Sequence, residues 1–253
     1  MNASSLATGP LPSPAILLCG FVLCFFPPLA FAADPDNQDA QKQLRLEKFV
    51  LPDFPPFARL SGVTRGLVTV AIGRNAEGQV TDILVLDSTN ALLSEATTNA
   101  IAQWKFARPS NQPIEGQPVV PIVRFIFNTG GVSIISAATG RATAKIQDPA
   151  VNAPVVLPAL SEIDDGPKPL FQPMPQIRGA AASTARGGTA TVKFFVDDTG
   201  RARVPIVLEC SSPELGEAAV LAVEQWRDEP PFVAGHPTIA IEAQTFTFGT
   251  RTP

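Results

Sequence analysis

The sequence predicts an α+β fold made of two tandem ββαβ domains, each a three-stranded antiparallel sheet in the order 2-1-3 covered by one helix. Self-similarity is the first ground. Gly66–Pro109 recurs without a gap as Gly188–Pro231, 122 positions later, with 13 of 44 residues identical, and a fixed offset of this kind marks a duplication. Periodicity is the second: within each copy the apolar spacing runs from two residues to between three and four, then back to two. Last, the two tryptophans of the chain, Trp104 and Trp226, stand at matching places in AIAQWKFARP and AVEQWRDEPP.

The first strand of each copy is LVTVAIG (Leu67–Gly73) or TATVKFFV (Thr189–Val196), alternating as a half-buried strand does. Asn75-Ala76-Glu77-Gly78 and Asp197-Asp198-Thr199-Gly200 carry turn residues, with glycine where a positive φ is easiest. VTDILVLD and ARVPIVLE are the returning strands. Ser212-Pro213-Glu214 reads as N-cap, first-turn proline and an acid that favours the positive end of the helix dipole. Leu215, Ala219, Ala222, Val223 and Trp226 then share one helical face, matched by Leu93, Thr97, Ala100, Ile101 and Trp104. Proline at 109 and at 230–231 stops the pattern. Third strands follow at Pro118–Phe127 and Thr238–Phe248. A right-handed crossover over the first strand gives the order 2-1-3, with the third strand at an edge. The expected core is Leu93, Ile101, Trp104, Leu215, Val223 and Trp226, each tryptophan being the largest apolar group of its helix.

Residues 1–32 read as a signal peptide, with an uncleaved anchor as the alternative. The unbroken apolar run Ile16–Phe26 is short for a span, which needs about 20 residues, and Ala30-Phe31-Ala32 supplies small residues for cleavage. A short polar lead occupies 33–48, the first domain 49–128, an Ala/Pro-rich linker 129–165 and the second domain 166–250. Within the linker, GVSIISA (Gly131–Ala137) has the look of a short extra strand. Relative motion of the domains is expected. Cys19 and Cys24 leave with the apolar run, so Cys210 has no disulfide partner, and burial is its expected state.

Little in the chain suggests chemistry. No cofactor or metal is expected: His236 is the single histidine, in a loop, and forms no ligand set with Cys210. Asp197 and Asp198 are explained as turn residues, and Gln103 and Gln225 as structural polar positions on the helices. No nucleotide-binding fingerprint or nucleophile elbow is present. A net charge of −4 without a basic cluster argues against nucleic acid. The expectation is a protein without enzymatic activity.

SSPELGEAAVLAVEQWR (Ser211–Arg227), with AIAQWKFARP and EGQPV (Glu115–Val119) in the other copy, resembles the C-terminal domain of TonB-type energy transducers. Trp104-Lys105-Phe106 keeps the most specific piece of that pattern. The second copy departs at Asp228, where the family has an aromatic, and Phe232 is the nearest candidate to replace it. The resemblance implies a binding domain in the periplasm whose sheet edge takes up the TonB box, a short extended segment of an outer-membrane transporter. The third strands are then the candidate edges, through Val119, Val123, Phe125 and Phe127 in one copy and Ile239, Ile241, Phe246 and Phe248 in the other. Backbone hydrogen bonds would give affinity, and pockets for alternate side chains selectivity.

The main expectation is therefore a periplasmic binding protein whose partner is a transporter segment or another envelope protein. The alternatives are an inner-membrane-anchored transducer with a short stalk, touching the membrane only through an uncleaved N-terminus, and a structural envelope protein whose domains pair only with each other. Open edges also make homodimers an expectation.

Overall fold

The computed structural model describes residues 44–107, 120–136, 157, 163–164, 168–177 and 187–249. The signal-peptide reading of 1–32, Val119 and most of the expected linker lie outside them.

Two antiparallel sheets form the frame. The first contains β2 (Arg65–Arg74), β3 (Val80–Ser88), β5 (Ile122–Asn128) and β6 (Gly131–Ser136) in the order β3-β2-β5-β6. The second contains β8 (Gly188–Val196), β9 (Ala202–Cys210) and β13 (Ala240–Phe248) in the order β13-β8-β9. Short ribbons complete the set: β1 (Leu46–Lys48) with β4 (Lys105–Phe106), β7 (Pro169–Phe171) with β10 (Arg227–Asp228), and β11 (Phe232–Val233) with β12 (His236–Pro237). The helices are α1 (Pro56–Leu60), α2 (Ala91–Ile101) and α3 (Pro213–Val223).

Side-chain alternation decides what each sheet face meets. Val68, Val70, Ile72, Val123, Phe125 and Phe127 point to one side of the first sheet and close a core with Leu93, Ile101 and Trp104. Val192, Phe194, Val196 and Phe246 do the same with Leu215, Val223 and Trp226. The sheets have faces left over, and these share a third core: Ala71, Leu84 and Val120 meet Phe195 and Val204, flanked by Ile122, Ile206 and Ile241. The expectation of freely moving domains is corrected by this contact, because two apolar sheet faces bury each other.

Glycines explain why the hairpins close so tightly. Gly78 (φ +81°) and Gly200 (φ +79°) lie against the backbone carbonyls of Phe106 and Asp228, where a Cβ would collide. Phe106 N–H donates to Gly78 O at 2.8 Å, and Asp228 N–H to Gly200 O at 2.7 Å. Asn75 Oδ1 accepts from the amides of Glu77 and Gln79, and Asp197 Oδ1 from those of Thr199 and Arg201. Both β3 and β9 bulge at the same place in the pattern, with Leu86 the extra residue opposite Thr69 and Val70 and Leu208 the extra residue opposite Thr191 and Val192.

Three sequence expectations change here. Each helix stops before its tryptophan: Trp104 N–H donates to Ile101 O at 2.9 Å and Trp226 N–H to Val223 O at 2.9 Å, in a tighter final turn. Ser212 holds the N-cap position of α3 without a side-chain cap, whereas Asn90 caps α2 by accepting from Leu92 N–H at 2.9 Å. Cys210 is exposed at the end of β9 rather than buried.

Candidate partner-binding edge

The largest correction concerns the first sheet. β5 was the expected edge, but β6 pairs antiparallel along it, with Val123 opposite Ser136, Phe125 opposite Ile134 and Phe127 opposite Val132. Gly131–Ser136 lies past the boundary expected at 128 and completes the sheet. The backbone of β5 is therefore bonded on both sides, and Val123, Phe125 and Phe127 are fully buried core residues. They offer no surface.

In the second sheet, β13 pairs with β8 from Ala240 opposite Val196 to Phe248 opposite Gly188. Among the described residues no strand pairs with its outer side. The side chains expected at that edge have other places. Ile239 and Ile241 pack against the core between the sheets, Phe246 is buried under α3, and Phe248 is half-buried beside it. What β13 presents outward is backbone, flanked by the exposed Ala243, Gln244, Thr245 and Thr247.

Hydrogen bonding fixes which amides those are. On the first sheet Ile72 N–H donates to Pro121 O at 3.0 Å, so the bonded β2–β5 pairs fall at Pro121 and every second residue after it. Matching registers place Phe246 where Phe125 stands, opposite Ala190 and Val68 respectively. The outward groups of β13 are then those of Ile241, Ala243, Thr245 and Thr247. Thr245 agrees, since its carbonyl accepts from the Gln244 side-chain amide at 2.9 Å instead of from a strand. That side chain blunts the edge at one point.

The tryptophans hold the other flank. Trp226 Nε1 donates to Pro173 O at 3.1 Å and Trp104 Nε1 to Val50 O at 2.7 Å, tying an extended segment along each helix. Near that end of β13 lies Asp228, which has 2% exposure. Its Oδ1 accepts from Gln172 Nε2 at 2.8 Å, while Oδ2 is buried without a partner among the described residues. Burial raises its pKa above the usual carboxylate range, despite the Gln172 bond. Glu242 on β13 is also raised, by burial first and then by the Asp228 charge. Phe232 does not replace the aromatic expected at 228: it is 38% exposed, outside the core.

The remaining candidates have structural duties. Gln103 Nε2 donates to Asn99 O at 3.2 Å and Gln225 Nε2 to Leu221 O at 2.7 Å, satisfying carbonyls at the helix ends. Asp197 does more than turn the chain, because Oδ2 also accepts from Arg203 Nη1 at 3.2 Å. Burial pulls its carboxyl up, but donation from Thr199, Arg201 and Arg203 outweighs burial and holds it below the usual range. His236 is exposed on β12.

Residues 179–250 match the family model described as the C-terminal region of Gram-negative bacterial TonB protein. A solution structure of the Pseudomonas aeruginosa TonB C-terminal domain matches with 25% identity, over 36% of this chain and 93% of that one, at a TM-score of 0.31. No curated protein matches the chain.

Proposed function

We propose that this chain, whose residues 179–250 match the TonB C-terminal family model, is a non-enzymatic binding protein of the Gram-negative periplasm. It takes up an extended segment of an outer-membrane transporter, such as a TonB box, or of another envelope protein, by strand addition to β13. One observation carries this reading: in the half that matches the family, no strand among the described residues pairs with the outer side of the third strand. A partner strand gains main-chain hydrogen bonds there at no cost to the fold.

The chain is a duplication of that domain with the copies specialised. Shared bulge, hairpin glycine and indole bond support a common ancestor, and the occupied edge of β5 supports a single binding edge. The shared core also favours a structural role for the first copy, which buries a face of the second while leaving β13 open.

Calorimetric titration of the full chain with a synthetic TonB-box peptide tests the proposal. One peptide per chain is expected, weakened at least about tenfold by Thr245→Pro, since strand proline is tolerated at an edge while deleting its donor. Absence of binding at millimolar peptide, or equal binding by the variant, would overturn it.

A further inference from the structure

A cleft of about 930 Å3 opens between the two copies, with the β2–β3 hairpin of the first on one side and β9 and α3 of the second on the other. We infer that it binds an acidic peptide segment, whose carboxylate sits on the guanidinium groups of Arg201 and Arg227, with Arg74 of the first copy lining the same cleft. The site is separate from β13 and does not rest on strand addition.

The charge is unusual for its place in the ladder. Arg201 and Arg227 stand directly opposite each other in an antiparallel bridge. The flanking bonds, Asp228 N–H to Gly200 O at 2.7 Å and Ala202 N–H to Trp226 O at 3.3 Å, make them a pair without bonds of its own, where side chains come closest. Like charges so placed repel. Neither guanidinium pairs with a carboxylate among the described residues. Arg227 Nη1 finds a carbonyl instead, Trp226 O at 2.6 Å.

The first copy has the same bridge with its charge neutralised. Gln79 faces Lys105 there, and Lys105 Nζ reaches Glu47 Oε2 at 2.7 Å. Leu46 and Lys48 lie opposite Phe106 and Lys105, as Pro169 and Phe171 lie opposite Asp228 and Arg227. Leu170, 67% exposed, therefore takes the place of Glu47. The second copy has gained a cation and lost an acid at one spot, which leaves room for an acid from outside.

The rest of the cleft narrows the ligand. Arg74 lies over the Phe106 ring at 5.1 Å, and burial, then the Arg45 charge, hold its pKa below the usual range. Asp82 is engaged by Arg203 and the Val204 amide, so it does not serve these arginines. Glu77, Glu217 and Glu224 also line the cleft without pairing with them, and repel a guest acid toward the arginine end. Pro205, Val207, Val220 and Leu221 give an apolar wall for an aliphatic neighbour of that acid. Pro205 has no donor and the Val204 amide is taken, so β9 offers no continuous ladder and the guest is held by side chains. Planar guanidinium forks fit a carboxylate better than a point charge does.

The test titrates the full chain, isotope-labelled, with the blocked peptide LDEL and its neutral counterpart LNQL. LDEL should shift the Nε–H signals of Arg201 and Arg227 and the methyl signals of Leu221, saturating at one peptide per chain. LNQL should bind at least about tenfold more weakly, the least expected when a charge-assisted hydrogen bond is lost. Arg201→Gln should weaken LDEL by as much without lowering the melting temperature, because it removes a repulsion. Equal binding of the two peptides, or LDEL binding untouched by Arg201→Gln, overturns the inference. A lower melting temperature of that variant gives Arg201 a structural duty and counts against it as well. Shifts confined to β13 put the peptide on the sheet edge, which overturns the inference and spares strand addition. Inorganic phosphate bound as tightly as LDEL makes the cleft a general anion site, and absence of shifts at millimolar LDEL leaves it without a ligand of this class; either result overturns the assignment.

Discussion

Asp82 and Val204 are separated by the sequence offset of the repeated pattern, 122 residues, and they touch: Val204 N–H donates to Asp82 Oδ2 at 3.0 Å. Corresponding positions of the repeated pattern therefore meet where β3 faces β9. Leu84 and Ile206, also 122 residues apart, both belong to the core between the sheets. Arg203 departs from the repeated pattern. It clamps Asp82 through Nε at 2.9 Å and Nη2 at 2.6 Å and reaches Asp197, and both carboxylates help raise its pKa. Val204 adopts φ +50°, unfavourable for a β-branched residue, so strain is held where its amide meets Asp82.

Asp82→Ala should therefore loosen the two halves from each other. Loss of one partner costs ~3–5 kcal/mol in a fully buried pair and ~0–1 kcal/mol in an exposed one. With Asp82 and Arg203 side chains 24% and 28% exposed, an intermediate loss of about 2 kcal/mol is expected. Calorimetry should show two unfolding transitions where the parent shows one. An unchanged single transition would mean that the clamp does not couple the halves.

Trp104→Ala and Trp226→Ala should each cost ~3–5 kcal/mol, by cavity formation and loss of the indole bond to the extended segment. Urea melts followed by backbone amides of each sheet would locate the loss. An indole replaced without effect on its own sheet would contradict the packing described.

Both tryptophans also show how far the sequence could be read. Period-two alternation, hairpin glycines and the apolar stripe of each helix were legible because they are local. Helix periodicity carried on to Trp104 and Trp226 because a tight final turn keeps them over the same face after the helix has ended. Less local choices were hidden. GVSIIS alternates like a strand, but its partner is selected by the edge available to it, so the closure of β5 could not be read from either segment. Nothing local to Asp82 names its partner, because Arg203 lies 121 residues away in the chain. Cys210 belongs to an apolar-looking strand, yet sits at the end that runs out into solvent.

Asp228→Asn should stabilise the protein at neutral pH. Burial raises the folded pKa, so the carboxylate costs stability above its unfolded pKa, and that cost disappears as pH falls through the raised folded value. A neutral amide removes most of the penalty of the unpartnered oxygen, about 1 kcal/mol or more. The gain should shrink as pH drops through the carboxylate range. Melting temperatures measured from pH 7 to pH 4 check this, and a variant less stable than the parent at pH 7 would contradict it. Asp197 has the opposite sign: its depressed pKa contributes stability above the unfolded value, lost as pH falls through the folded one.

Gly78→Ala and Gly200→Ala should each cost at least ~2 kcal/mol, adding left-handed backbone strain to a collision with a fixed carbonyl. Gly62, also at positive φ (+82°) but with open space around it, is the control: Gly62→Ala should cost only the strain, about 1 kcal/mol. Equal losses at all three positions would remove the close approach as the reason for glycine.

Amide hydrogen exchange on the full chain, with and without a saturating transporter-derived peptide, tests the binding edge most directly. Protection should rise at Ile241, Ala243, Thr245 and Thr247, while Ile122–Asn128 stays as it was. Protection gained along Ile122–Asn128, or nowhere on β13, would contradict the account.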